Sequence, residues 1–202
     1  MSKVVYDFLK TAKDEFVDSV YGSGVRCSAY LTDDTYLPCV IIRESEKIVD
    51  LAIKRFEEEK KGKGIFSKDE PEAYRKIVKN FLCSKSQVAS YNIARLDESK
   101  FAFPKNLLDI LEGETTMSWT GFVLEMNDGK IFQYGTSFLV EFFDLPDGYT
   151  FNDVSKLHNH SYINTDGVLK PHSVPFFDIP EDYDRSKSYR ERPYFVCYKD
   201  DL

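Results

Sequence analysis

The chain has 202 residues, of which 42% are hydrophobic and 30% are charged. This length suits one well-filled domain, or at most a domain and a subdomain, and this composition excludes the disordered, collagen-like and low-complexity classes. The net charge is −7, and it is uneven: residues 101–202 carry 9 Lys and Arg against 17 Asp and Glu, whereas residues 1–100 carry 18 against 17. A basic surface is needed to bind nucleic acid or an anionic membrane, so neither is predicted as the main partner.

The cellular compartment is predicted from the cysteines and from two absences in the sequence. No stretch approaches the roughly 18 apolar residues of a membrane span, and the first residues lack the apolar core of a secretory signal. Cys27, Cys39, Cys83 and Cys197 are widely spaced and form no Cys-x-x-Cys pair, which argues against a zinc or redox motif. We therefore expect reduced, mostly buried thiols in a cytoplasmic protein.

Residues 1–86 are predicted to be rich in helix. Apolar residues at three- and four-residue steps predict a first helix over residues 5–20, ended by Gly22 and Gly24. A hairpin of strands 25–31 and 36–42 follows. Pro38 removes a ladder donor, so the second strand is expected at a sheet edge or with a bulge. Two more amphipathic helices are expected, with apolar stripes over residues 48–56 and 74–82.

Residues 87–145 are predicted to be rich in strand. Alternating polarity over residues 89–94 is typical of a half-buried strand, and Pro104 begins a short helix carrying three leucines. The strongest signal is a hairpin over residues 116–143. Its turn sequence, Asn-Asp-Gly-Lys at residues 127–130, suits a two-residue type I′ connection.

The register of this second hairpin follows from its turn. With Asp128 and Gly129 as the two central residues, Phe122 faces Gly135 across the ladder. An aromatic ring that covers a strand glycine is a known way to hold the register of a sheet. We therefore expect Phe122 to cover Gly135.

The last part of the chain, residues 146–202, is predicted to be an ordered loop region. Five of the eight prolines lie there, and we expect apolar side chains at 176, 177, 179 and 183 to pin the loops to the surface. Residues 194–198 are predicted as a closing strand. The fold class is thus a single α+β domain over residues 1–202, with an antiparallel sheet, helices covering one face and a long ordered C-terminal loop region.

The acidic half of the chain also carries tyrosines in polar segments. Tyrosine is enriched at protein interfaces, and an excess of negative charge steers association with a basic surface. The candidate partner-binding residues are Asp144, Asp147, Tyr149, Asp178, Glu181, Asp182, Tyr183 and Asp184. This pattern predicts an acidic cytoplasmic protein of the binding or inhibitory, immunity-like kind, without a cofactor and with a basic protein as its partner.

The alternative is a metal-dependent hydrolase, and a purely structural subunit is the third possibility. All three histidines, His158, His160 and His172, lie within fifteen residues of one another, and Asp166 lies between them. His-x-His on an extended strand places both imidazoles on one face. Three imidazoles and a carboxylate suit Zn²⁺ or another first-row divalent metal, which would supply a hydroxide nucleophile. Chance placement of three histidines in a polar loop explains the same pattern, and no catalytic residue is identified.

Overall fold

The computed structural model describes residues 3–12, 15–18, 22–43, 87–137 and 139–199. In chain order the elements are α1 (Lys3–Thr11), β1 (Glu15–Asp18), β2 (Gly22–Leu31), β3 (Tyr36–Arg43), β4 (Ile93–Asp97), α2 (Lys105–Leu108), β5 (Thr120–Met126), β6 (Ile131–Thr136), β7 (Val154–Asn159), β8 (Ser161–Ile163), β9 (Leu169–Pro171), β10 (Tyr189–Arg190) and β11 (Phe195–Tyr198). They form two compact units. The first comprises Met1–Ser99 and Tyr194–Leu202, and the second is Lys100–Pro193.

The first unit is built on a five-stranded sheet. Its strand order is β1-β2-β3-β11, and β4 also pairs with β2. The strands around β2 are antiparallel, whereas β11 runs parallel to β3. Alternate residues of β2, β3 and β11, including Cys27, Val40 and Cys197, form a buried core with Val5 of α1. Burial of this apolar face stabilises the sheet against the helix.

The two strands of the first predicted hairpin are confirmed, and so is the predicted bulge near Pro38. Cys27 lies opposite Val40, but next to the turn Tyr30 lies opposite Tyr36 and Leu31 N donates to Thr35 O, so the two pairs differ in register by one residue. The register then shifts before Ala29, where Pro38 lies on the facing strand. Proline has no N–H to donate to the ladder, so a bulge is the expected accommodation in a strand paired on both sides. Ser28 of β2 therefore lies opposite two residues of β3, Pro38 and Cys39.

The second unit holds a four-stranded sheet and a separate two-stranded ribbon. The sheet order is β10-β6-β5-β7, and β8 pairs with β9. Its core is aromatic: Phe122 and Tyr134 pair across β5 and β6 with stacked rings 5.3 Å apart, and Phe103 and Phe143 pack against them. The short helix α2 follows Pro104 as predicted and buries Leu107 in this core.

The register predicted for the second hairpin is wrong by one residue. The turn contains three residues, 127–129, because Met126 N donates to Lys130 O at 2.8 Å and Gly129 N donates to Met126 O at 2.9 Å. Of these residues, only Gly129 has a positive φ, 83°, whereas a type I′ turn needs two. Phe122 therefore faces Tyr134, and Gly135 faces Gly121. A slip of one residue reverses the face of every side chain.

The predicted fold class, α+β with helices covering one face of an antiparallel sheet, is also wrong. Among the described residues α1 is the one helix of at least seven residues, and most of the other elements are strands in three sheets. The first predicted helix ends at Thr11, and residues 15–18 form β1 against Gly22 and its neighbours in β2. Pairing with β2 decides this segment, and local periodicity cannot detect it. The two helices predicted over 48–56 and 74–82 lie outside the described residues.

The C-terminal region is more regular than predicted. Five short strands, β7 to β11, lie within residues 154–198, and the predicted closing strand is confirmed as β11. Phe176, Phe177 and Ile179 do not pin the loop, because each is more than two-fifths exposed. Tyr183 does anchor it, through contacts described below.

Candidate functional site

The predicted acidic, tyrosine-bearing residues fall into two groups within the second unit. One group surrounds Tyr149, whose ring contacts Phe132 near the turn of the β5–β6 hairpin. The other group surrounds Tyr183, whose hydroxyl lies by Gly121 at the opposite end of β5. The five residue-to-residue steps from Gly121 to Met126 span about 17 Å of extended strand. The eight candidate residues therefore do not form one continuous surface.

The group at the turn is largely occupied by contacts within the unit. The hydroxyl of Tyr149 donates to Asp128 at 2.7 Å and accepts from Lys130 Nζ at 2.8 Å. These hydrogen bonds lower the pKa of Asp128 and raise that of Lys130, so both stay charged near neutral pH. Asp144 lies away from this turn, because its backbone N donates to the carbonyl of Arg190, which pairs with Gly135. Its carboxylate pairs with Arg192. Asp147 is exposed in a turn.

The group at the other end is built on two tyrosines. Tyr162 and Tyr183 contact each other at 5.3 Å between ring centroids, and Tyr162 donates to Asp182 at 2.8 Å. Burial, together with this hydrogen bond, raises the pKa of Tyr162 to about 12. Asp184 accepts from the backbone and hydroxyl of Ser186, which hold its pKa below the ordinary value. Asp182 and Asp184 are thus fixed in position by neighbouring donors.

Two further carboxylates of this group are presented to solvent. Asp178 and Glu181 are exposed, and no ion pair in the described part of the chain involves either of them. The loop that carries them is nonetheless ordered by its backbone. Asp178 N donates to Pro175 O at 2.8 Å, and Tyr183 N donates to Pro180 O at 3.0 Å. We call residues 175–184 the acidic loop.

The acidic loop is attached to the sheet through Trp119, which the sequence reasoning missed. Its indole is buried, and Nε1 donates to the hydroxyl of Tyr183 at 3.0 Å. The ring lies across the facing glycines of β5 and β6: a Cβ at Gly135 would lie only 2.0 Å from Trp119 Cζ2, and one at Gly121 3.3 Å from Nε1. A ring does cover Gly135, as expected, but it is that of Trp119. With the register predicted one residue off, the glycine pair could not be recognised.

Two arginines lie beside the same indole. The guanidinium carbons of Arg185 and Arg190 are 4.7 and 4.6 Å from the ring centroid, within cation–π range. Arg190 also forms two hydrogen bonds, of 2.8 and 2.9 Å, to the carboxylate of Glu191. This carboxylate neutralises Arg190, whereas Arg185 is exposed and no ion pair in the described part of the chain involves it. The cluster therefore stabilises the indole and retains one cation beside it.

The three histidines are held by different partners. His158 Nε2 lies 2.8 Å from Glu125 Oε2, and His160 Nε2 lies 2.6 Å from the carbonyl of Glu112. β7 ends at Asn159, and His160 has a φ of 47°, so the two residues do not share one extended segment. Asp166 is exposed in a turn of residues 164–167, where Gly167 N donates to Asn164 O.

His172 lies close to His160 but does not complete a ligand set. Its backbone N donates to His160 O at 2.7 Å, and its ring edge faces Tyr162. The buried Nε2 has no hydrogen-bond partner among the described residues. Burial, with contributions from His160 and Arg185, lowers the pKa of His172. No group of three or more His, Cys, Asp or Glu side chains within the described ranges could hold a metal ion. The metal-dependent hydrolase stays a prediction from the histidine spacing alone.

Two more general findings concern membrane-spanning helices and similarity to known proteins. In the described part of the chain, no helix is long and apolar enough to cross a membrane. Comparison with known proteins finds no matching family model, no similar curated protein and no similar solved structure. Any function therefore rests on the chemistry of the residues described above.

Proposed function

We propose that this chain is a protein-binding or inhibitory protein that uses its acidic loop to bind a basic protein surface in the cytoplasm. The observation that carries the proposal is the charge of this loop. Residues 175–184 include four carboxylates and no Lys or Arg. Asp184 pairs with Lys187 at 3.7 Å, whereas Asp178 and Glu181 are exposed without an ion pair in the described part of the chain. Complementary charge raises the rate of association and discriminates against acidic partners.

The other predicted residues contribute less to this surface. Asp144 is neutralised by Arg192, and Tyr149 is occupied by Asp128 and Lys130. Tyr183 and Asp182 hold the acidic loop in position, since both are hydrogen-bonded inside the unit. A loop held in one conformation loses less conformational entropy when a partner binds. The acidic loop is thus the favoured part of the predicted surface.

The cytoplasmic location is a separate part of the proposal. Cys27, Cys39 and Cys197 are buried in the first unit, and the Cys27 thiol donates to Val40 O at 3.5 Å. Buried thiols among apolar side chains are typical of a reducing compartment. Titration of thiols in denatured protein, without reductant, checks this point: four thiols per chain support it, and fewer contradict it.

The binding proposal is tested by comparing two variants with the same change in charge. The acidic-loop variant carries Asp178→Asn and Glu181→Gln. Its control carries Glu98→Gln and Asp109→Asn, which are exposed residues outside the proposed surface. Immobilised protein is used to capture partners from an extract of the source cells, and the association rate of each purified partner is then measured at low and high salt.

Wild type and control are expected to capture the same partner, with an association rate that falls as salt screens the charges. The acidic-loop variant is expected to associate several-fold more slowly at low salt and to match wild type at high salt. Equal rates for the acidic-loop variant and the control at low salt contradict the proposal, as does the absence of any captured partner.

A further inference from the structure

The acidic loop also presents apolar side chains to solvent. Phe176, Phe177 and Ile179 are 43%, 75% and 45% exposed, and Met117, on a neighbouring turn, is 63% exposed. We call these four residues the apolar patch. Scattered exposed apolar residues are ordinary, but a contiguous group beside polar residues is typical of an interaction site. Phenylalanine and methionine are also enriched in protein interfaces.

The two segments that form the apolar patch are joined by hydrogen bonds. The carbonyl of Phe176 accepts from the Thr116 hydroxyl and from Met117 N, the latter at 3.3 Å. Met117 lies at the tip of a tight turn, closed by Trp119 N donating to Thr116 O at 2.8 Å. The buried indole of Trp119 fixes the base of this turn. The patch is therefore ordered before any partner arrives, which lowers the entropic cost of binding.

The apolar patch and the carboxylates alternate along the same stretch of chain. Asp178 lies between Phe177 and Ile179, and Glu181 follows two residues later. An acidic apolar segment would be repelled by these carboxylates, whereas a basic segment without apolar side chains would leave the patch in water. Charge complementarity thus selects one class of occupant.

We infer that the apolar patch docks a segment of a partner protein in which apolar side chains are flanked by Lys or Arg. The inference rests on the proposed function and adds the source of affinity to it. The carboxylates speed association, and burial of Phe177 and Met117 slows dissociation, because interface energy is concentrated in a few desolvated apolar contacts.

The test uses a phage-displayed library of random 12-residue peptides, selected on the full-length wild-type chain. Selected peptides are sequenced, synthesised and measured against three variants. The patch variant carries Met117→Ser and Phe177→Ser, and its control is Val168→Ser, which is 49% exposed in the same unit but outside the patch. The third is the Asp178→Asn, Glu181→Gln variant. Emission of Trp119 shows whether each variant keeps the fold, and Phe177→Ala alone replaces the patch variant if it does not.

Selected peptides are expected to be enriched in both apolar and basic residues. The patch variant should raise their dissociation constant about tenfold or more, and Val168→Ser should leave it unchanged. Peptides that bind the patch variant as tightly as wild type overturn the inference but leave the proposed function standing if the acidic-loop variant still weakens them. Peptides without basic residues, or unaffected by the acidic-loop variant, contradict the proposed function. No selected peptide at all counts against both.

Discussion

Gly135→Ala tests whether the indole of Trp119 packs directly on Gly135 of β6. The added Cβ would lie 2.0 Å from Trp119 Cζ2, whereas carbon atoms pack at about 3.5–4.0 Å. One of them must move by at least about 1.5 Å. β6 is paired on both sides, with β5 and β10, so the indole has to leave. Its hydrogen bond to Tyr183 and its contacts with Arg185 and Arg190 are then lost.

The expected cost is a loss of about 3 kcal/mol in the free energy of unfolding. Removing a buried Trp or Phe side chain costs about 3–5 kcal/mol, and a displaced indole retains some of its contacts. Gly129→Ala is the matched control: its φ is 83° and a Cβ there meets nothing within 4 Å, so it should lose only about 1 kcal/mol through backbone strain.

Urea denaturation measures both variants through the emission of Trp119, the one tryptophan of the chain. The native emission of Gly135→Ala should shift to longer wavelength, because its indole is exposed to water, and that of Gly129→Ala should not. If Gly135→Ala loses no more stability than the control and its native emission is unchanged, the indole does not lie over this glycine.

Three more predictions concern stability. Tyr134→Phe should raise the free energy of unfolding, measured by urea denaturation, by about 1 kcal/mol. The reason is that the buried Tyr134 hydroxyl has no hydrogen-bond partner in the described part of the chain. A loss of stability would show that the hydroxyl does form a hydrogen bond. The pKa of His172 is lowered from 6.5, so its contribution to stability is present above pH 6.5 and is lost as pH falls below it. His172→Phe should therefore lose less stability than wild type between about pH 7.5 and pH 5.5, and equal losses would contradict the assignment. Residues 100–193 should unfold cooperatively as an isolated fragment, because both ends of this segment are hydrogen-bonded to residues 142–143. Phe143 N donates to Phe101 O, and Arg192 N donates to Phe142 O. Urea denaturation followed by Trp119 emission measures this, and the absence of a cooperative transition counts against the prediction.

Short-range signals in the sequence determined several elements of this protein. The hairpin of β2 and β3, the bulge at Pro38, the start of α2 after Pro104 and the strand β11 all follow from alternation, turn residues or the properties of proline. Each of these signals lies within a few neighbouring residues, although β11 forms its strand by pairing with the distant β3. The acidic character of the C-terminal half is likewise a property of composition.

Tertiary structure alone decided the end of α1 and the register of the second hairpin. The apolar spacing of residues 5–20 fits a helix, but hydrogen bonds from a neighbouring strand convert residues 15–18 into β1. The sequence of the β5–β6 turn allows two loop lengths, and packing of Phe122 on Tyr134 and of Trp119 on Gly135 favours the three-residue loop. In both cases pairing between neighbouring strands outweighs a local preference of about 1 kcal/mol or less.

In the candidate site, too, some properties follow from the sequence and others only from the tertiary structure. Composition alone shows that the carboxylates of the acidic loop are many, but not that Asp144 is neutralised by Arg192 while Asp178 remains without such a partner in the described ranges. Nor does it show that Phe176 and Phe177 face solvent, since apolar residues in a loop are usually expected to pin it. Their exposure depends on the backbone of Phe176 being held by the turn of Thr116 and Met117, a contact between segments sixty residues apart that no local pattern encodes.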